Sequence, residues 1–542
     1  MPEYLAPGVY IEEVSTGARP IEGVSTSTTG FAGPTERGPL MPRLVTSWEE
    51  YVRWYGDYVD RVPGRKAFYL PYAARGFFDN GGQRLFIARV TAETAKAAAI
   101  EVDALGLQAV GPGIWGNNVL YRIKKASLQK DNSPTQDWFR LTLLYYRDGI
   151  PANFLDPTDI DNFGKPDRKD PDVIEDFDNL SITPADTNFG QSIVNGASKL
   201  VKVTKLAGTV TLAEPFDGNQ KLTGGDDAGE PIDTDYKGRS IPPIDPNEPT
   251  DPNKKSGLLG LEAIRDISIL AIPDDVVVTS LQTVVINQCE KLKDRFAIIS
   301  APPADLIKDP GDATLRPPQD STYAAYYLPW VRVTASHTAE GHILVPPTGH
   351  IAGIYARVDV ERGVHKAPAN EVVRGIITRD LSGDEKPLSV TLSKQQQDLL
   401  NPKGVNVIRD FRSDGRGIRV WGARTMSSDA MWKYINVRRL FIFVEQSIDR
   451  GTQWSVFEPN YESTWIAIRL SISAFLRTVW HNGALAGVTQ DEAFFVRCDR
   501  TTMTQDDWDN GRLICLIGIA PVKPAEFVIF RISQKTVEAQ QQ

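Results

Sequence analysis

Three clusters in this sequence have the residue types and spacing of chemical sites. Gly111, Gly113 and Gly116 in "GPGIWGN" make a literal G-x-G-x-x-G. That pattern holds a dinucleotide only where it joins a strand to a helix whose N-terminus meets the pyrophosphate. Here Pro112 stiffens the loop and the next residues, "NVLYRI", read as a strand, so the spacing describes a turn. His337, His342, His350 and His365 are imidazoles of the kind zinc accepts. Their spacing matches no helical or knuckle pattern, and no cysteine lies near them. Asp159, Asp161, Gly164 and Asp170 outline part of a calcium loop, but Phe163 fills its fifth place and no helical pattern flanks it.

Asp506 and Asp507 are paired carboxylates with nothing in the sequence to set them in a cleft. The chain has no G-x-S-x-G elbow and no phosphate loop ending in Gly-Lys-Ser/Thr. The expectation is therefore no enzyme, no metal and no cofactor.

The elements that would position any site point elsewhere. With 542 residues the chain exceeds one ordinary core, and 41% hydrophobic and 24% charged content is that of a folded protein. A net charge of −9 argues against a nucleic-acid partner, which demands a basic face. No apolar run approaches the roughly 20 residues of a membrane span, and the N-terminus lacks the pattern of a secretory signal. Cys289, Cys498 and Cys515 are odd in number, far apart and set in apolar runs. They read as reduced core thiols of a protein assembled in a reducing cytoplasm, with no disulfide frame.

Along the chain, residues 1–30 read as an extended N-terminal arm and linker. Within it, Val9, Tyr10, Ile11, Glu12 and Val14 form a strand with no partner nearby. Residues 31–104 open the core with two helices. Ser47 and Glu50 fit a capping box for the first, and Asn80-Gly81-Gly82 close the second. Residues 105–255 read as a β-rich insertion, dense in Asp and Pro at its edges. Residues 256–400 alternate helix and strand as an α/β core. Residues 401–525 form a C-terminal domain with two strong helices, one burying Trp465, Ile468, Ile472, Phe475 and Val479. Residues 526–542 make a C-terminal arm whose strand is Phe527, Val528, Ile529, Phe530 and Ile532.

Many of these stretches, in order, resemble one family. "YLAPGVYIEEVSTGARPIEGVSTSTTGFAG", "FFDNGGQRLFIARV", "GIWGNNVLYRI", "GLEAIRDISILAIPD", "VPPTGHIAGIYARVDVERGVHKAPANE", "YINVRRLFIFVEQSI", "FEPNYESTWIAIR" and "GIAPVKPAEFVIFRISQ" are similar to landmarks of tail sheath proteins of contractile bacteriophages and related injection systems. The resemblance covers nearly all of the chain outside about 125 to 215. It implies an α/β (α+β) sheath core, an outward β-rich insertion and terminal β-arms. It implies a subunit that polymerises as stacked hexameric rings around an inner tube and contracts to drive the tube through an envelope. Strands from both termini would complete a neighbour's sheet, and residues 15–30 would act as the hinge. Partners are then the chain itself, the inner tube protein, and baseplate and terminator proteins, with no nucleic acid and no membrane insertion. Candidate tube contacts are Lys433, Arg438, Arg439, Arg469 and Arg477. A different reading, an outer-surface receptor-binding protein of a phage-like particle, makes the insertion the binding element.

Overall fold

A computed structural model of the chain describes residues 19–529 apart from 62–67, 129–134, 214–215, 244–248, 250, 277, 279, 304–314 and 379–385. The chain divides into two compact units. The larger, Ser25–Glu361 with Pro368–Lys433, is built on an eight-stranded sheet. Its strands are β1 (Thr29–Gly33), β2 (Arg43–Val45), β3 (Leu85–Arg89), β4 (Ile269–Ala271), β5 (Phe296–Ser300), β6 (Ala324–Leu328), β7 (Val405–Phe411) and β8 (Gly417–Val420).

The spatial order is β8-β7-β6-β5-β4-β1-β3-β2. The central strands run parallel, and only β2 and β8 are antiparallel to their neighbours. A parallel sheet covered on both faces needs strands apolar on both sides. β4, β5 and β6, "ILA", "FAIIS" and "AAYYL", are buried at every position.

Helices α1 (Trp48–Tyr55), α2 (Leu70–Asp79), α3 (Gly257–Glu262), α4 (Ser280–Leu292), α5 (Thr348–Arg362) and α6 (Lys394–Leu400) accompany this sheet. The start of α1 differs in detail from a capping box. Ser47 Oγ accepts the Glu50 N–H at 3.1 Å, but the Glu50 carboxylate takes the Thr46 N–H at 2.8 Å. α2 ends as its glycines require. Gly81 has φ +94°, its N–H donates to Phe78, and the Gly82 N–H reaches back to Phe77 at 2.9 Å.

On one face, Leu281, Val285, Ile286 and Cys289 of α4 join Ala297, Ile299 and Tyr326 in the main core. On the other, α5 lies against α2 with glycine at the crossing. A Cβ on Gly349 or Gly353 would enter the main chain at Ala73 or Phe77, and Gly76 faces the His350 ring. His350 is 1% exposed, and burial pushes its pKa down to about 4. Burial acts oppositely on Asp275, raising its carboxyl well above the usual range.

Two sequence boundaries shift here. Thr29 and Gly30, assigned to the arm, belong to β1, which pairs with both β3 and β4 at the centre of the sheet. The small residues of "TGFAG" obscure that strand. They are small because helices close in: a Cβ on Gly33 would sit 2.9 Å from Asp274 Oδ2 and 3.0 Å from Leu70. Likewise, residues 401–433 are not part of the C-terminal domain, because β7 and β8 extend the main sheet from β6.

Arg295 is fully buried at the end of α3, donating to the Leu261 carbonyl at 2.9 Å and the Ile264 carbonyl at 3.1 Å. Its charge is matched by Asp294 at 2.7 Å. Arg295→Met leaves those carbonyls and Asp294 without their donor. The expected loss is about 3 kcal/mol, read as a lower urea midpoint at unchanged slope.

The insertion carries its own core. Strands Ala99–Val102, Leu105–Ala109 and Val201–Leu206 form one sheet, and Val119–Lys125, Trp138–Tyr145 and Val173–Ser181 another. They share a cluster including Trp115, Ile123, Phe139, Leu141, Leu143 and Val203. The glycine-rich "GPGIWGN" runs into a 3₁₀ turn, Ile114–Asn118, and then directly into a strand. This is a turn, as Pro112 and the following β pattern imply. The exit lies earlier than residue 255: Tyr236 already belongs to the main core. The insertion is fastened at Glu36, which is buried and accepts from Tyr145 Oη at 2.6 Å and Arg147 Nε at 3.0 Å.

Candidate assembly interface

The smaller unit joins residues through Val24, Arg362–Ala367 and the chain from Tyr434. Helices α7 (Ile435–Thr452) and α8 (Glu462–His481) form its body, with a two-stranded ladder of β9 (Phe494–Arg497) and β10 (Leu516–Ile519). The α8 face predicted from periodicity is the buried one: Trp465, Ile468, Ile472, Phe475 and Val479 all face the core.

Residues Arg19–Val24 lie on these helices. The Arg19 N–H donates to Ser471 Oγ and the Val24 N–H to Ser447 Oγ, each at 3.1 Å. The Arg19 guanidinium stands 4.7 Å from the Trp454 ring centre. Ile21 packs where α7 has Gly451, and Gly23 rests against the Phe443 ring. Sequence reasoning missed this dock and placed the whole 15–30 stretch in a hinge. The available signal was a buried serine on each helix among apolar neighbours, Ser447 beside Val444 and Ser471 beside Ile472. Both satisfy main-chain donors of the linker, which otherwise lose their hydrogen bonds to water.

A Cβ on Gly451 would lie 2.7 Å from Ile21. Gly451→Val therefore lifts the linker. The Arg19 and Val24 amides should exchange with solvent at least about tenfold faster, measured by hydrogen exchange, while amides inside α8 do not change. Unchanged Val24 protection would contradict the dock.

The β9–β10 ladder runs antiparallel from Phe494 opposite Ile519 to Arg497 opposite Leu516. A two-stranded ladder is marginal by itself and offers edges to further strands. Near it the chain leaves with three apolar residues in water: Phe527, Val528 and Ile529 are 70%, 68% and 78% exposed. Among the described residues they join no ladder. The remainder of the expected C-terminal strand, Phe530 and Ile532, lies outside the described residues, as does the N-terminal strand Val9, Tyr10, Ile11, Glu12 and Val14.

The basic candidates separate. Arg438 and Arg439, expected as inner-tube contacts, are 5% and 3% exposed. The first turn of α7 is enclosed, with Asn436 Nδ2 donating to the His365 and Val522 carbonyls at 2.8 and 3.2 Å, and Arg438 paired with Glu445 at 3.2 Å. Lys433 is half-buried. On α8, Arg469 is half-buried and Arg477 exposed, with Arg477 Nε donating to Gln490 Oε1 at 3.1 Å.

The chemical candidates have structural partners. His337 meets Asp60 at 3.0 Å, His342 meets Glu340 at 3.5 Å, and His350 is enclosed between α2 and α5. Asp159 accepts the Asp161 N–H at a 3₁₀ turn, and Asp170 pairs with Arg168 at 2.7 Å. Asp507 accepts from Thr504 in a capping box, and Asp506 pairs with Arg512. Among the described residues no group of three His, Cys, Asp or Glu side chains converges as a metal site. No described helix is long and apolar enough to cross a membrane.

Comparison with known proteins adds an independent line. A family model for the phage tail sheath protein central domain matches residues 255–426, and one for the phage tail sheath C-terminal domain matches 427–535. A prophage major tail sheath protein of Pseudomonas aeruginosa is 27% identical over 190 residues, 34% of this chain and 45% of that protein. The tail sheath protein of Burkholderia phage BcepMu is 31% identical over 149 residues, 27% of this chain and 30% of that one. For Enterobacteria phage T4 the figures are 27% over 185 residues, 34% and 26%. The matches thus span less than half the length of these curated relatives.

Among solved structures, the helical sheath of the anti-feeding prophage in its contracted state aligns with TM-score 0.54 and 23% identity, over 98% of this chain and 100% of that one. The contracted PVC sheath complex of an extracellular contractile injection system aligns with TM-score 0.54 and 21% identity over 100% of both chains. At these identities the likeness establishes the fold: a mixed α/β chain with several sheets.

Proposed function

Since this chain belongs to the tail sheath family of contractile phage tails and injection systems, we propose that it polymerises as stacked hexameric rings around an inner tube and contracts to drive that tube through a target envelope. One observation carries this reading. A single unit holds both an open two-stranded ladder, β9–β10, and an exposed apolar segment, Phe527–Ile529, that joins no ladder among the described residues. Strand addition between copies satisfies both, using main-chain hydrogen bonds for affinity and alternate side chains for register. The ladder of one copy accepts the C-terminal strand of a second and the Val9–Val14 strand of a third.

Contraction needs neighbours that rotate while joined. The Arg19–Val24 dock takes those residues out of the expected 15–30 hinge. The energy for firing resides in the lattice, each ring biasing the next from a metastable to a more stable packing, with no nucleotide required. Arg469 and Arg477 on α8 are the basic residues offered to the inner tube, since Arg438 and Arg439 are enclosed. The insertion around residues 98–222 faces outward, away from the tube. Baseplate and terminator proteins bind the two ends of the polymer. Assembly takes place in the bacterial cytoplasm, before the particle is released.

Negative-stain microscopy of the purified chain tests the reading. Hollow cylinders of uniform width are expected. Monodisperse monomers that persist at high concentration with inner tube present would overturn it.

A further inference from the structure

The ladder register brings together two cysteines that are distant in sequence. The ladder ends at Arg497 opposite Leu516, and continuing its register by one residue sets Cys498 opposite Cys515. The Ala520 N–H donates to the Ala493 carbonyl at 2.9 Å, marking a hydrogen-bonded pair. Counting in twos from there, Phe495/Gly518 and Arg497/Leu516 are hydrogen-bonded positions too, so Phe494/Ile519, Val496/Ile517 and, one step past the ladder, Cys498/Cys515 take the alternate, non-hydrogen-bonded positions. At such positions Cα atoms approach to about 4.5 Å and side chains lean together. A disulfide accepts Cα separations of about 4.4–6.8 Å.

Phe494, Val496, Cys515, Ile517 and Ile519 all contribute to one apolar cluster, so this face of the ladder turns inward. The two thiols lie close enough to shift each other's ionisation, Cys498 downward and Cys515 upward. The loop between them is tied down, with Thr502 Oγ1 donating to the Asp499 and Ile514 carbonyls at 2.8 Å each. Both thiols are free.

We propose that Cys498 and Cys515 are a redox-responsive dithiol, closing to an intrachain disulfide when the chain meets a low-molecular-weight disulfide oxidant such as glutathione disulfide. The proximity of Cys515 lowers the Cys498 pKa, with Arg469 adding to the effect; Cys498 is itself 1% exposed, so it becomes the attacking thiolate when this end of the ladder opens. It attacks one glutathione sulfur, breaks the glutathione S–S bond and releases one glutathione thiolate. The mixed disulfide on Cys498 is then attacked by Cys515, which gives up its proton and displaces the second glutathione. Two protein thiols lose two electrons and two protons, and one glutathione disulfide becomes two glutathione thiols. Cys289 has no thiol partner: it is fully buried in the main core, and burial pushes its pKa up to about 12.

The bridge links the ends of β9 and β10. It therefore staples the ladder that, on the assembly reading above, receives strands from neighbouring copies. A particle leaving a reducing cytoplasm would harden at that joint.

The test uses the full chain, purified reduced and equilibrated with graded ratios of reduced to oxidised glutathione, then acid-quenched, alkylated in denaturant and mapped by mass spectrometry without reduction. Cys498 and Cys515 should lose alkylation together as their two peptides become linked, with Cys289 alkylated throughout. Cys515→Ser should stop at the glutathione adduct on Cys498, and Cys289→Ser should form the bridge as the unaltered chain does. Full alkylation of Cys498 and Cys515 at the most oxidising ratio, or bridges only between chains, would overturn the proposal. The unassembled chain suffices for this measurement. A chain that bridges without forming cylinders contradicts the assembly reading alone, and cylinders without the bridge contradict the dithiol alone.

Discussion

A chain lacking residues 527–542 is expected to stay folded and fail to form cylinders under conditions where the full chain forms them. The three described residues at that end place their apolar side chains in water and join no ladder among the described residues. The core of the unit, built from Leu440, Ile468, Ile472 and Leu476, lies on other elements. Cutting after Glu526 also keeps its contact with Tyr434 Oη at 3.1 Å. On the proposed strand exchange, what is lost is the strand given to a neighbour. A strand of about five residues contributes several main-chain hydrogen bonds at about 1 kcal/mol each, plus the burial of its apolar side chains. Losing about 4 kcal/mol per contact raises the concentration needed for polymerisation roughly a thousandfold. Sedimentation velocity with microscopy reads this directly, and circular dichroism reports the fold. Deleting residues 1–14 should act the same way. Wild-type cylinders from either truncation would remove strand exchange as the basis of assembly.

The second large effect concerns acid. His350 titrates at about 4 in the folded chain against 6.5 in an unfolded one. Between those values the unfolded chain binds more protons, so stability is complete above pH 6.5 and falls as the pH drops towards 4. The shift corresponds to about 3 kcal/mol lost across that window. Asp275 acts oppositely: its raised pKa favours the folded state at low pH and withdraws that contribution as the pH rises above 3.8. The two groups therefore offset each other in the unaltered chain. His350→Phe removes the proton acceptor while filling the site between α2 and α5. Urea titrations from pH 7 to 4 should show the variant losing about 3 kcal/mol less than the unaltered chain over the same range. Parallel losses in the two proteins would mean that His350 is solvated below pH 6.5.

The sequence was most legible where one element's pattern carries its own explanation. Asn80-Gly81-Gly82 closes α2 because the left-handed turn favours glycine, and the α8 core face follows from helical period alone. It was least legible where another element dictates the residue. β1 has glycine at two of its five positions because Ile267 presses on Gly30 and Leu70 and Asp274 on Gly33, so a central strand reads as part of a loop. Arg438 and Arg439 carry the composition of an outward helix face. Only the enclosure of the first turn of α7, through Asn436 with His365 and Val522, reverses that. Cys498 and Cys515 read as unrelated thiols until the ladder register places them opposite one another.

The two serines that hold Arg19 and Val24 set a leash. The expected strand Val9–Val14 begins about ten residues before Arg19, and a fully extended chain covers at most about 3.5 Å per residue. However the intervening residues run, Val9 lies within about 35 Å of the point where Ser471 pins the linker. If that strand stays paired with another copy through contraction, the pairing edge must remain inside the radius in both lattice states. The permitted travel between neighbouring copies is then fixed by a covalent length and by one serine hydroxyl, and is independent of how strongly the rings attract. Lengthening the chain between Val14 and Arg19 would extend that travel without altering a single contact surface.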